Sequence, residues 1–342
     1  MKNLHLFGKT LMVCMLILYT STAFAIDPMP KESGISGFVT FGAGFFSIKS
    51  NTIAGSGLFD FGKDSIDSIS DKPDDAKTKA LPVLVGEVRY TFAQSHTQVY
   101  LGNRFEDFLR FNFATALGVR QELPDSSTLD VGFVIGLPSS VWKDPYVENR
   151  NRDKTDRTSP GARIIWDEIL GSDFQLEFVY KNINIQKERS GQTQLNLPQS
   201  EAARLVRDGN QYTVELLYRF SFGERRHRFV PALRYVRDDL DGDAMSNNRY
   251  ALQLTYGYNG EKYGVVANAN FAHSEHDKKN PIYGKTQKDD SVSLGLTGFY
   301  KKPFDAEKWS IVGSVFGNKS YSNIDFYESS AFGAVIAALY RF

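Results

Sequence analysis

The sequence has little of several features that mark common classes of protein. It contains one cysteine, Cys14, which excludes a disulfide scaffold. Its 40 basic and 40 acidic residues cancel, so no basic excess is present to bind nucleic acid. After the first 25 residues it has no apolar run of about 18 residues, the length that a membrane helix needs. The mean hydropathy of −0.33 is typical of soluble proteins. A membrane β-barrel averages to a similar value, however, because polar and apolar residues alternate along its strands.

Residues 1–25 have the organisation of a secretory signal peptide. A basic beginning with Lys2 and Lys9 precedes a short apolar core, and the small-x-small motif AFA ends at Ala25. We therefore predict export, with cleavage between Ala25 and Ile26. An uncleaved membrane anchor is less favoured because the apolar core is too short to span a bilayer. The exported chain would contain no cysteine, which excludes a thiol nucleophile.

From residue 35 onward, segments with apolar residues at every second position recur along the chain. This period indicates β-strands that have one apolar face. We predict fourteen strands, with twelve or sixteen as alternatives because the third and sixth segments are short. The predicted spans are 35–50, 81–93, 96–103, 109–121, 128–138, 161–169, 173–188, 211–222, 228–238, 248–258, 262–274, 290–301, 308–318 and 330–342.

The connections between these segments alternate in length. Short ones carry turn residues, as at Asn259-Gly260, whereas long polar ones lie near 51–80, 139–160, 189–210, 239–247, 275–289 and 319–329. The connection at 104–108 is a short exception. Short periplasmic turns and long extracellular loops are typical of an all-β, transmembrane, antiparallel up-and-down β-barrel. We therefore predict a short periplasmic segment over 26–34, an outer-membrane barrel over 35–342, and location in the cell outer membrane.

Aromatic residues cluster at one end of the predicted strands, on their apolar side. Such a pattern predicts a girdle at the lipid interface. The girdle residues are Phe92, Phe222, Tyr258, Tyr300, Trp309, Tyr340 and Phe342. The terminal aromatic Phe342, with apolar residues at alternate positions before it, is typical of the signal that the barrel-insertion machinery reads.

Three stretches resemble a family of Gram-negative outer-membrane proteins known only as a domain of unknown function. They lie at residues 33–51, which contain SGFVTFGAGFFSIKSN, at 97–123 (TQVYLGNRFEDFLRFNFATALGVRQEL) and at 156–172 (DRTSPGARIIWDEILGS). The resemblance implies an outer-membrane barrel and supplies no catalytic or binding residues.

The polar side of the strands predicts which side chains face the barrel lumen. The candidates are Glu87, Arg89, Arg110, Arg120, Arg163, Glu177, Lys181, Glu215, Arg219, Arg234 and Arg249. Arginines outnumber carboxylates in this set, which predicts a net positive wall and a preference for anions. Alternatively, these Arg and Glu side chains pair with each other and fill the interior. Four apolar residues also fall on the lumen side and indicate a local constriction: Phe38, Phe46, Val266 and Phe316.

We therefore predict a passive, porin-like channel for small hydrophilic or anionic solutes, without a cofactor or a metal. One alternative is a structural or surface-interaction barrel with a closed lumen. A second is a hydrolase that uses the His273–Asp277 segment, although His273 and His276 would point to opposite faces of a strand. We expect outer-membrane lipid and lipopolysaccharide as partners. The aspartates of the 51–80 loop are a candidate site for divalent cations that bridge lipopolysaccharide. Residues 198–207 predict a short helix capped by Ser200.

Overall fold

The computed structural model describes residues 29–56, 59–104, 115–136 and 139–342. The predicted signal peptide, its cleavage site and Cys14 lie outside these ranges. Nineteen strands form within the ranges. In chain order they are β1 (Gly34–Ser50), β2 (Ile53–Ser56), β3 (Phe59–Asp60), β4 (Lys77–Phe92), β5 (Thr97–Asn103), β6 (Thr115–Glu122), β7 (Thr128–Ile135), β8 (Ser139–Trp142), β9 (Lys154–Thr158), β10 (Gly161–Asp167), β11 (Phe174–Ile185), β12 (Gly209–Tyr218), β13 (Phe220–Phe222), β14 (His227–Leu240), β15 (Asn247–Asn259), β16 (Tyr263–Lys279), β17 (Thr286–Lys301), β18 (Trp309–Ser322) and β19 (Ser329–Arg341).

Fourteen of these strands close into a barrel, which confirms the predicted fold and strand number. Each wall strand pairs antiparallel with its neighbour in the chain, and β19 returns to pair with β1. The strands β12 and β13 count as one wall strand interrupted at Arg219, and both pair with β14. The two short predicted segments are real strands, β5 and β10. Of the predicted strand 109–121, the described part begins at Thr115.

The outer surface of the barrel is apolar along alternate residues of every wall strand. Val88, Leu294 and Ile336 are examples whose side chains are more than half exposed and face the lipid. A closed barrel is stable in lipid because every backbone N–H and C=O group of the wall can pair with a neighbouring strand. None of the helices in the described ranges is long and apolar enough to cross a membrane.

The extracellular ends of several strands extend beyond the predicted boundaries. The predicted loop 275–289 is mostly strand, because β16 continues to Lys279 and β17 begins at Thr286. Glu275 lies opposite Lys288 in this extension, and their side chains approach to 2.7 Å. The apolar period stops where the lipid ends, whereas backbone pairing and opposite charges continue the sheet into water. The boundary predicted from apolarity alone was therefore wrong.

Two loops fold back against the barrel instead of extending away from it. The strands β2, β3, β8 and β9 form a small inner sheet, whose β9 pairs with the extracellular end of β11. Phe61, beside this sheet, packs among the lumen-facing residues Phe46 and Leu81. The helix α1 (Gln199–Ala203) forms as predicted, but its N-cap is Pro198 and no side chain caps it, so the predicted role of Ser200 was wrong.

A charge placed on the lipid face should destabilise the barrel. We expect Leu294→Arg, near mid-height on β17, to lower the free energy of unfolding by about 2–4 kcal/mol, because the guanidinium would enter the bilayer core. Urea titration in lipid vesicles, followed by tryptophan fluorescence, measures this change. The control is Leu170→Arg in a periplasmic turn, where the side chain is 74% exposed. Equal losses for the two variants would contradict the membrane position of β17.

Candidate functional site in the barrel lumen

The lumen face of the wall carries the polar residues predicted for it. Strand registers place ten of the eleven candidates on the face opposite the lipid-facing residues, and Arg110 lies outside the described residues. The buried candidates are Glu87, Arg120, Arg163, Glu177, Glu215 and Arg219. The less buried ones are Arg89, Lys181, Arg234 and Arg249. The burial of the first six shows that these side chains contact other side chains of the wall and not only the open lumen.

Arg120 is the centre of one buried ion-pair network. Its Nη2 donates to Glu87 Oε2 at 2.8 Å, and its Nε donates to Asp130 Oδ2 at 3.1 Å. The guanidinium lies 4.1 Å from the ring centroid of Tyr100, whose hydroxyl donates to Asp130 at 2.6 Å. Gly118 makes room for this ring, because a Cβ there would lie 2.5 Å from the Tyr100 hydroxyl. The network joins the wall strands β4 to β7.

Two further arginines of the wall pair with carboxylates in the same way. Arg219 Nη1 donates to Asp167 and its Nη2 to Gln175, at 2.5 and 2.6 Å. Arg234 Nη2 lies 2.6 Å from Glu215 Oε2. Charged hydrogen bonds of this kind fix the orientation of the arginines, because a buried charge without a partner is costly.

The sequence analysis missed four lumen-facing carboxylates, which are Asp130, Asp167, Asp238 and Asp289. The alternation along β7, β10, β14 and β17 places each of them on the lumen side, so the same parity rule could have found them. They reduce the excess of arginine from which a net positive wall was predicted, while Arg228 and Arg341 add positive charge on the same face. A preference of the lumen for anions or cations must therefore depend on which charged side chains border its open part.

The other side of the lumen is apolar. Phe38, Phe46, Val266 and Phe316 face inward, as their parity predicted, and all are buried in one cluster. Additional members of that cluster from neighbouring strands include Phe299, Val312 and Leu339. In the periplasmic half of the barrel, nearly all described lumen-facing side chains are buried, which favours a narrow passage over a wide one.

A roof of extracellular loops lies over the lumen. Arg152 joins two of these loops, since its Nη1 donates to Asn51 O at 2.6 Å and to Pro145 O at 3.0 Å. Its guanidinium lies 4.2 Å from the Trp142 ring centroid, and burial lowers the pKa of Arg152 to about 10. The hydroxyls of Tyr146 and Tyr327 lie 2.6 Å apart. Burial raises the pKa of both tyrosines, so both remain neutral.

The acidic loop residues are mostly paired with lysines. Lys154 Nζ lies 2.8 Å from Asp60 and 3.2 Å from Asp64, and Lys63 Nζ lies 2.9 Å from Asp74. The hydrogen bond from Lys63 lowers the pKa of Asp74. These pairs leave few carboxylates to bind a divalent cation, and the described residues contain no cluster of three His, Cys, Asp or Glu side chains suited to a metal.

The histidines of the hydrolase hypothesis do not form one site. His273 faces outward, where its Nδ1 lies 2.8 Å from Asp290 Oδ1. His276 faces the lumen side, is buried, and its Nδ1 lies 2.8 Å from Ala244 O. The two imidazoles therefore lie on opposite sides of β16, as expected for a strand.

A polar chamber of about 320 Å³ opens inside the barrel beside β14 to β18. Arg234 and Arg249 border one part of it, and Asp289 borders it as well. The rest is lined by serine and asparagine side chains of β16, β17 and β18 and by the small apolar residues Val236, Ala251 and Ala272. It lies above the apolar cluster. A small solute has room in this part of the described lumen.

The girdle residues lie at the periplasmic ends of their strands. Phe92, Phe222 and Phe342 are exposed, and Trp309 packs on Tyr340 with ring centroids 4.8 Å apart. Phe342 also closes the barrel, since its backbone N–H donates to Gly37 O at 3.1 Å. A second set of outward aromatics, which the sequence analysis did not name, lies toward the extracellular ends and includes the pairs Tyr180–Tyr212 and Tyr235–Tyr250.

Residues 34–341 match a family described as a protein of unknown function (DUF2860). The chain belongs to this family. The match covers the whole barrel and confirms the resemblance seen in the sequence. An apolar belt outside, a polar lumen and a closed wall are the architecture with which strands cross a bilayer. This DUF2860 protein is an outer-membrane β-barrel.

Several solved structures are similar to this chain in fold. One is the outer membrane channel DcaP of Acinetobacter baumannii, with 12% identity, a TM-score of 0.45 and coverage of 91% of this chain and 97% of that chain. Another is an anion-selective porin from Comamonas acidovorans, with 9% identity, a TM-score of 0.39 and coverage of 91% and 100%. A third is OpdK of Pseudomonas aeruginosa with vanillate, with 13% identity, a TM-score of 0.36 and coverage of 90% and 99%. A comparison with curated proteins gave no match.

Removing the central arginine of the buried network should cost far more stability than breaking an exposed pair. We expect Arg120→Leu to lower the free energy of unfolding by about 3–5 kcal/mol, because Glu87 and Asp130 would keep their charges without this partner. Lys288→Ala, which breaks the exposed pair with Glu275, should cost at most about 1 kcal/mol. Urea unfolding of both variants in the same vesicles tests this difference, and a loss for Arg120→Leu as small as that of the control would contradict it.

Proposed function

We propose that the protein is a passive, porin-like channel that carries small hydrophilic solutes through a narrow lumen. The observation that carries this proposal is the polar chamber of about 320 Å³ inside a closed barrel. Solutes need no moving part to enter such a space, only a passage lined by groups that replace part of their hydration. The buried side chains of the periplasmic half restrict this passage, which favours small solutes.

The exposure of the charges at the chamber supports a preference for anions. The side chains of Arg234 and Arg249 are 22% and 44% exposed, whereas those of their partners Glu215 and Asp238 are 2% and 9% exposed. The positive ends of these two pairs therefore border the open space, and their partner carboxylates lie behind them. One further carboxylate, Asp289, lines the chamber with its side chain 19% exposed, so the two arginines outnumber it there. A solute in the chamber meets the guanidinium groups first. Anions are stabilised there relative to cations.

Conductance measurements test the channel. Residues 26–342, refolded and inserted into planar bilayers, should give discrete and small current steps, because the passage is narrow. Bilayers that receive the same detergent without protein are the control. If correctly refolded protein gives no steps above this control, the channel proposal is wrong.

Ion selectivity tests the role of the exposed arginines. We expect Arg249→Gln to reduce the anion-to-cation permeability ratio by a factor of about four, since a unit positive charge about 10 Å away in water stabilises an anion and destabilises a cation by about 0.4 kcal/mol each. The reversal potential under a KCl gradient measures this ratio. Arg237→Gln is a matched control, because Arg237 lies on the outer face of β14 and pairs with Asp277 at 2.7 Å. An unchanged ratio in Arg249→Gln would remove this residue from the selectivity mechanism.

The second candidate function is a structural or surface-interaction barrel with a closed lumen. It is favoured by the burial of the periplasmic lumen side chains and by the loop roof. The conductance experiment separates the two, because a closed barrel would insert without current steps.

We also propose contacts of the barrel surface with lipopolysaccharide and, during assembly, of Phe342 with the insertion machinery. Lys49, Ser330 and Lys319 lie in register on the outer face of β1, β19 and β18. They border a groove of about 190 Å³ near the extracellular rim, which Lys72 and Glu328 also line. Lipid phosphates would meet three ammonium groups and one carboxylate there.

A further inference from the structure

We propose that the polar chamber is a binding site for a small hydroxylated carboxylate, of the sugar-acid class. This proposal rests on the proposed function, because the solute would reach the chamber through the lumen. The chamber volume of about 320 Å³ falls at the lower end of the range for small-molecule sites. The chemical class of the ligand follows from three features of the chamber wall. These features are a depression, a cationic end and a polar rim.

The depression is formed by small side chains at one level of the wall. The strand registers align Arg234 with Ala251, Ala251 with Ala272, Ala272 with Ser291 and Ser291 with Ser320. This row crosses five adjacent strands, β14 to β18. Since alanine and serine reach only a short way into the lumen, the row between the arginine and Ser320 is a shallow trough. Its floor can contact the carbon chain of a ligand.

The cationic end of the trough holds two arginines on neighbouring strands. Arg234 lies opposite Ala251, and Arg249 lies opposite Val236, so the two arginines are diagonal neighbours on the same face. Arg249 Nη2 makes one long hydrogen bond of 3.4 Å to Asp238. A guanidinium has five N–H donors, so Arg249 keeps donors for a ligand. Its planar fork matches the two oxygens of a carboxylate.

The rims of the trough can bind hydroxyl groups. One neighbouring row contains Ser274 and Asp289, and the other contains Asn270, Ser293 and Asn318. The amide of Asn318 donates to Ser293 Oγ at 2.8 Å, and Ser274 Oγ lies 3.3 Å from Asp289 Oδ2. Serine hydroxyls and asparagine amides both donate and accept, which suits a ligand with several hydroxyls. An anion without hydroxyls would leave these groups unmatched.

Binding can be measured without any transport. Refolded protein in detergent is titrated with gluconate, and isothermal calorimetry reports the heat. Hexanoate carries the carboxylate without hydroxyls, and glucose carries hydroxyls without the charge. We expect gluconate to bind at least tenfold more tightly than either. Equal affinity for gluconate and hexanoate, or for gluconate and glucose, or no binding of gluconate at all, would overturn the proposal.

Two variants test whether the ligand binds in the trough. Ala251→Leu fills its floor and should abolish gluconate binding, while Ala269→Leu adds the same side chain on the lipid face of β16 and should preserve it. Arg249→Gln should weaken gluconate at least tenfold and leave glucose unchanged, with Arg237→Gln as its control. If Ala251→Leu does not refold, Arg249→Gln and the three ligands still decide the outcome.

The result is distinguishable from that of the channel test. Protein that conducts ions but binds gluconate no better than hexanoate contradicts this proposal alone. Protein that binds gluconate in detergent but gives no current steps contradicts the channel alone, and leaves a binding site inside a closed barrel.

Discussion

The backbone of a chain in lipid must satisfy all its hydrogen bonds within the protein, and this constraint governs the structure. A sheet meets it only by closing, here through the pairing of β19 with β1 and through the bonds between Gly37 and Phe342. Closure gives every wall residue one of two environments, the lipid or the lumen. Because successive side chains alternate between them, apolar and polar residues mix evenly along the chain. The modest mean hydropathy is therefore a result of crossing the membrane in strands.

This alternation explains why the wall could be predicted from the sequence. Short strands such as β5 and β10 keep outward apolar residues at every second position, for example Leu101 and Ile164, and that signal sufficed. It fails where the lipid ends. In the extension of β16 and β17, the outer face meets water instead of lipid, so Glu275 and Lys288 show no apolar period although their backbones pair. The inner sheet lacks the signal for another reason: β2 and β8 are four residues long and join segments about 85 residues apart, and nothing local specifies that pairing.

The sequence predicted which side chains face the lumen but not which of them contact one another. Parity alone assigned Arg120 to the interior, whereas its contacts with Glu87 and Asp130 depend on the registers of β4 to β7. The shape of the chamber depends on the registers between strands even more than these ion pairs do. Ala251, Ala272 and Ser291 are ordinary residues in their own strands, and only their alignment at one level makes a trough. A sequence without aligned relatives contains the parity of each strand but not the offset between strands.

The same registers change how the charge of the wall should be judged. A count of lumen-facing arginines suggested a positive interior, and the four additional aspartates lower the net charge that this count gives. The potential that a solute meets is not set by the count, because a charge behind a wall of side chains acts at a longer distance and through its own partner. Arg249 reaches into the chamber while Asp238 stays buried behind it, so the pair is neutral in sum but presents its positive end to the lumen. The proposed preference for anions therefore depends on this local arrangement, in which buried carboxylates hold the arginines toward the chamber.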